Sequence, residues 1–156
     1  MYAPGSVTEA ETFVWYRAMD RLRLGVGYLH KQNAVRWLAS FQIAPETATL
    51  PSVNASIGVQ GIGTGNPGYS VTAEKNFSGE HGRGLNAYTG LGFRSNENHA
   101  HWIGGARYSF GNGLALGIQL DGHDHNPFVV YTAGQTLFGF YLIDAKRPAY
   151  MAGVRF

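Results

Sequence analysis

The chain has 156 residues with 22 Gly, 9 Phe, 9 Tyr and 3 Trp, yet only 14% of it is charged and the net charge is +2. Soluble domains carry about a quarter charged residues, so this surface is short of charge, while +2 is too little to argue for nucleic acid. The absence of cysteine excludes a disulfide framework and thiolate chemistry.

The length bounds a single domain, residues 1–156, divided into a leader over 1–21 and a β-rich body over 22–156. Thr8 with Glu11, or Ser6 with Glu9, has the spacing of a helix-capping box, and Trp15, Ala18, Met19 and Leu22 would extend it as an apolar stripe. Thr12 to Met19 is equally readable as a first strand, from its aromatic and β-branched content. Both readings stay open on the residues alone.

From Leu22 onward the period is two. Leu22, Leu24, Val26 and Tyr28 alternate with Arg23, Gly25 and Gly27, and Val35 to Ile43 alternates with Arg36, Leu38, Ser40 and Gln42. After a loop bearing Pro45 and Pro51, Val53 to Val59 opposes Asn54, Ser56, Gly58 and Gln60. Gly61 to Gly68 is a turn-rich break, and Tyr69 to Phe77 follows against Ser70, Thr72, Glu74 and Asn76. Lys75 violates that apolar row, and near a strand end it can snorkel out of it.

The second half repeats the pattern. Leu85 to Phe93 and Trp102 to Phe110 alternate, and Gly111-Asn112-Gly113 forms a tight turn into Leu114, Leu116, Ile118 and Leu120. Phe128 to Ala133 and Leu137 to Ile143 are joined by a turn at Gly134-Gln135, and Asp144 to Pro148 leads into the last segment. No run approaches the roughly 20 apolar residues of a membrane helix, but a membrane strand needs only about 9–11 alternating residues.

That last segment, Ala149 to Phe156, places Tyr150, Ala152, Val154 and Phe156 on one face. It resembles the terminal insertion signal of bacterial outer-membrane β-barrel proteins, an alternating strand closed by a final Phe. The resemblance covers about seven residues. It implies that Tyr150, Val154 and Phe156 are read by the barrel assembly machinery, that membrane lipid is the other partner, and that the protein resides in the bacterial outer membrane.

The expected fold is therefore all-β: a closed antiparallel up-and-down transmembrane β-barrel of about ten strands, twelve being the alternative, with a short N-terminal helix or strand. Even counts are the rule for single-chain bacterial barrels. An exported barrel needs a signal peptide, and Met1 to Gly5 lacks its basic start and apolar stretch, so the expectation is a processed chain with Met1 added.

Sidedness follows from charge. Arg23, Arg36, Glu74, Arg107, Gln119, Asp121 and Arg155 fall on the rows opposite the large apolar residues. An Arg facing lipid at the midplane costs about 2–4 kcal/mol, so the charged rows face inward and the apolar rows outward. The bland role for these residues is filling the lumen as a polar network, and it outweighs a catalytic or conducting role for any one of them.

Four of the six histidines occur as His99-Ala100-His101 and His123-Asp124-His125. Pairing about Asn112 would set His101 opposite His123 and His99 opposite His125, all four on the inner face. Opposed Cβ atoms about 4.5–5.5 Å apart allow imidazoles to share a divalent transition metal, though a merely hydrogen-bonding rim is the simpler reading. No other cofactor is expected.

No Gly-x-Ser-x-Gly motif occurs, and His99, His101 and Ser109 are a loose echo of a hydrolase set. The preferred function is a non-enzymatic envelope protein or narrow porin-like pore. A lipid- or peptide-modifying outer-membrane enzyme and a soluble ligand-binding barrel are the alternatives.

Overall fold

The structure, a computed structural model, describes residues 10–59 and 67–155. Within them the chain forms one antiparallel sheet in strict sequence order: β1 (Glu11–Met19), β2 (Leu22–Leu29), β3 (Ala34–Ala44), β4 (Ser52–Val59), β5 (Pro67–Ser78), β6 (Arg83–Arg94), β7 (Ala100–Phe110), β8 (Leu114–Leu120), β9 (His125–Ala133), β10 (Thr136–Ile143) and β11 (Arg147–Val154). One 3₁₀ turn, Glu80–Gly82, is the only helical element among the described residues.

The up-and-down all-β architecture is thus present, but neither ten nor twelve strands are found; the described residues supply eleven. The extra strand is β1. Its residues do not form the helical stripe: Val14 pairs with Val26 and Tyr16 with Leu24, so aromatic and β-branched content won over the capping pattern. Ser6, Thr8 and Glu9 lie outside the described residues, as do Gln60, Gly61 to Asn66 and Phe156. Among the described residues no ladder joins β1 to β11, and the sheet is open with those two strands at its edges.

Register follows the period-two pattern read from the sequence. On β7 and β8, Ala106 opposes Ile118 and Tyr108 opposes Leu116, which centres the hairpin on Asn112. Gly111 and Gly113 take φ of 81° and 87°, and Asn112 Oδ1 accepts the Leu114 N–H at 3.1 Å. The Gly134-Gln135 turn sets Ala133 opposite Thr136. Bulges interrupt β1 between Arg17 and Met19 and β3 between Gln42 and Ala44.

The two faces differ sharply. One presents Val14, Tyr16, Val26, Trp37, Ile57, Tyr69, Trp102, Leu116, Ile118, Tyr131, Phe138, Tyr150 and Val154, all exposed; Trp37 is 80% and Tyr150 83% exposed. The other holds the buried Leu29, Leu38, Ile103, Ala115, Val130 and Ile143, with the buried polar Ser52, Ser70, Arg94, Asp121 and Asn126. Tyr88 on β6 and Tyr141 on β10, with three strands between them in the sheet, sit near enough to interact electrostatically, so the sheet curls around this inner face.

Lys75, the exception in the apolar row, bends out of it. Its Nζ donates to the carbonyls of Thr47, Ala48 (3.0 Å) and Leu50 in the β3–β4 loop and lies 3.4 Å from Glu46 Oε1. The long alkyl stem carries the charge past the strand end to a ready set of acceptors.

Candidate functional site

By register Arg23, Arg36, Glu74, Arg107 and Gln119 share the inner face, and Asp121 and Arg155 follow its rows just past the ends of β8 and β11. They do not form one network. Glu74 Oε1 accepts from Asn86 Nδ2 at 2.7 Å, and Asn86 also donates to Asn76 Oδ1 at 2.8 Å. Arg36 donates to the Val35 carbonyl, and Arg23, Arg36, Arg107 and Arg155 make no ion pair with another described residue. Small side chains leave open space between them, including a polar cleft of about 360 Å³ bordered by Arg23, Gln42, Asn54 and Glu74.

Asp121 does pair, but with a residue the sequence did not single out. Arg94, at the end of β6 and 9% exposed, places Nη2 3.5 Å from Asp121 Oδ2 and 3.2 Å from the Asp121 carbonyl oxygen. Its Nη1 lies 3.8 Å from Glu97 Oε1 in the β6–β7 loop. A buried guanidinium between two carboxylates is the arrangement in which an ion pair holds together, because its planar donors serve both partners.

Glu97 is the hub of the site. Its Oε2 faces His101 Nε2, and its Oε1 lies 3.1 Å from His123 Nε2. Partial burial works against ionisation, but the His123 hydrogen bond and the charges of His101, His123 and Arg94 outweigh it and hold the carboxyl below its ordinary range. The His101 ring is stacked between two others, 4.4 Å from His99 and 4.3 Å from His123 by centroid. One ligand atom from each of Glu97, His101 and His123 falls within 4.8 Å of the others.

Local turn chemistry builds this geometry. Asp121 Oδ1 accepts the backbone N–H groups of His123 (3.1 Å) and Asp124 (2.8 Å), an Asx-type turn that stations His123 over β7. Gly122 adopts φ 95°, and a Cβ there would come within 2.5 Å of His101 Cβ, so both conformation and space demand glycine.

Three of the four histidines expected together are together; His125 is not. Leu120 faces outward and opposes His125 in the β8–β9 ladder, so His125 belongs to the outer row. The four-residue turn reverses the parity that continuous alternation would have preserved. The hydrolase echo also dissolves, since Ser109 stands eight residues along β7 from His101, roughly 26 Å away. Glu97 could have been sought as an acid four residues before His101, but its contact with His123 crosses a hairpin and leaves no local pattern. Of the terminal segment, Tyr150 and Val154 lie on the exposed outer row, while Phe156 is outside the described residues. Comparison of the chain with protein-family models, curated proteins and solved structures finds no match.

Proposed function

We propose that the chain is a small outer-membrane β-barrel whose polar inner face makes it a structural envelope protein or a narrow pore. The observation carrying this reading is the continuous apolar outer face, which runs from Val14 and Tyr16 on β1 to Tyr150 and Val154 on β11. Eleven strands at about 4.8 Å spacing make a band about 50 Å around, and even 20 Å of height gives on the order of 1,000 Å². Soluble monomers rarely expose more than a few hundred Å² of contiguous apolar surface. Lipid covers such a face without cost, and the arginines on the opposite face stay out of it.

In a bilayer the edges of β1 and β11, which no other strand joins among the described residues, would each leave backbone groups without water, at several kcal/mol per group. Closure of the sheet into a barrel in the membrane is therefore part of the proposal. The recesses between Gly, Ser and Asn side chains on the inner face would give a narrow aqueous path.

Spin labels at positions 116 and 119 of the reconstituted chain test sidedness. The label at 116 should respond to a lipid-soluble quencher and that at 119 to a water-soluble one. The reverse pattern, or a monodisperse protein without detergent, overturns the membrane reading in favour of a soluble ligand-binding barrel. Conductance in a planar bilayer then separates pore from plugged wall.

A further inference from the structure

We propose that Glu97, His101 and His123 form a binding site for a divalent transition metal, zinc by preference, where the β6–β7 loop meets the β8–β9 turn. Two imidazole nitrogens and a carboxylate oxygen are a donor set that zinc accepts readily, with bonds of about 2.0–2.2 Å. Ligand atoms around a tetrahedral ion at those distances lie about 3.4 Å apart. The three atoms here already converge within 4.8 Å, so small side-chain adjustments would seat an ion.

A second observation points the same way. The His101 side chain is nine-tenths buried, and its Nε2 and Glu97 Oε2 make no hydrogen bond of acceptable geometry although they face each other. Two buried lone-pair atoms aimed at one point want either a proton between them or a cation. Rings on both sides hold His101 in place, their centroids 4.4 Å away at His99 and 4.3 Å away at His123.

The surrounding groups suit the role. Arg94 neighbours Glu97 from the strand side at 3.8 Å, and the Asp121 turn holds the backbone of His123. Asp121 is itself committed to Arg94 and two backbone N–H groups, so it is no ligand. Three protein ligands leave a fourth position for water or an exogenous donor. The site does not depend on whether the outer face lies in lipid.

The test is a zinc titration of the full chain, folded in detergent and freed of metal, against a chromophoric chelator. One equivalent should bind per chain, and cobalt(II) in its place should develop the visible bands of a four-coordinate N/O site. The variant H101A/H123A should bind zinc at least about 100-fold more weakly and E97Q about 10-fold more weakly, while H125A stays within about twofold. Zinc on the unaltered chain should also shield His101 and His123 from diethyl pyrocarbonate and leave the exposed His81 reactive, a readout that needs no variant to fold. Zinc binding no tighter in the wild type than in the double variant, or carbethoxylation of His101 undiminished by zinc, overturns the site.

Discussion

Two polar clusters sit at opposite ends of the sheet and solve the same problem differently. At one end Glu46, Lys75 and Asn76 clamp the β3–β4 loop onto β5. Glu46 accepts the Asn76 backbone N–H at 2.9 Å and its side-chain Nδ2 at 2.6 Å, while Lys75 spends its donors on loop carbonyls. At the other end Arg94, Glu97, His101, His123 and Asp121 gather across two turns, and two buried atoms are left without hydrogen bonds. A cluster that satisfies all its groups is a fastener. One that converges lone pairs and leaves them unsatisfied is poised for a ligand.

The contrast breaks most visibly at Arg94. Truncation to Ala leaves Asp121 buried and unpaired, and an uncompensated buried carboxylate is expensive, so R94A should destabilise the fold by about 3 kcal/mol in urea titrations. R23A and R155A, whose side chains are exposed and unpaired among the described residues, should change it by less than about 0.5 kcal/mol. Equal costs for all three would mean the inner face is one continuous network after all.

A smaller loss is expected at the clamp. K75A removes the donor from three carbonyls and should cost about 1–2 kcal/mol, with zinc affinity unchanged, when unfolding and metal titration are measured on the same samples. A weaker zinc site in K75A would show that the two ends are coupled.

The clamp also has a pH signature. Hydrogen bonds from the Asn76 side chain and backbone, then Lys75, hold the Glu46 carboxyl below its ordinary range. Between the folded and unfolded pKa values the unfolded chain binds more protons, so this contribution is present at neutral pH and is lost as pH falls below the usual carboxylate range. The E46Q variant should therefore flatten the acid side of a stability–pH curve. An unaltered acid limb would remove Glu46 from the account.

The smallest effect is expected at His125. Because it lies on the outer row opposite Leu120, H125A should leave both stability and metal affinity essentially unchanged by the same two assays. A loss of binding there would restore the four-histidine arrangement that continuous alternation suggested.

Sequence alone determined the faces of the strands from Leu22 onward. Side chains alternate with a period of two, so one correctly placed residue such as Leu116 or Gln119 orients its whole strand, and short Gly-rich turns carry that orientation into the next. The same rule places Arg23, Glu74 and Arg107 on the inner face. What only the tertiary structure decided lies where the period ends. Residues 12–19 satisfied helical and strand patterns equally, and pairing with Leu24 and Val26 chose between them. The turn from Asp121 to Asp124 flipped parity and expelled His125, because a loop's conformation depends on its own hydrogen bonds rather than on the strand before it. Glu97 reached His123 across 26 residues and Arg94 reached Asp121 across 27, and a separation of that kind leaves no periodic trace in the chain.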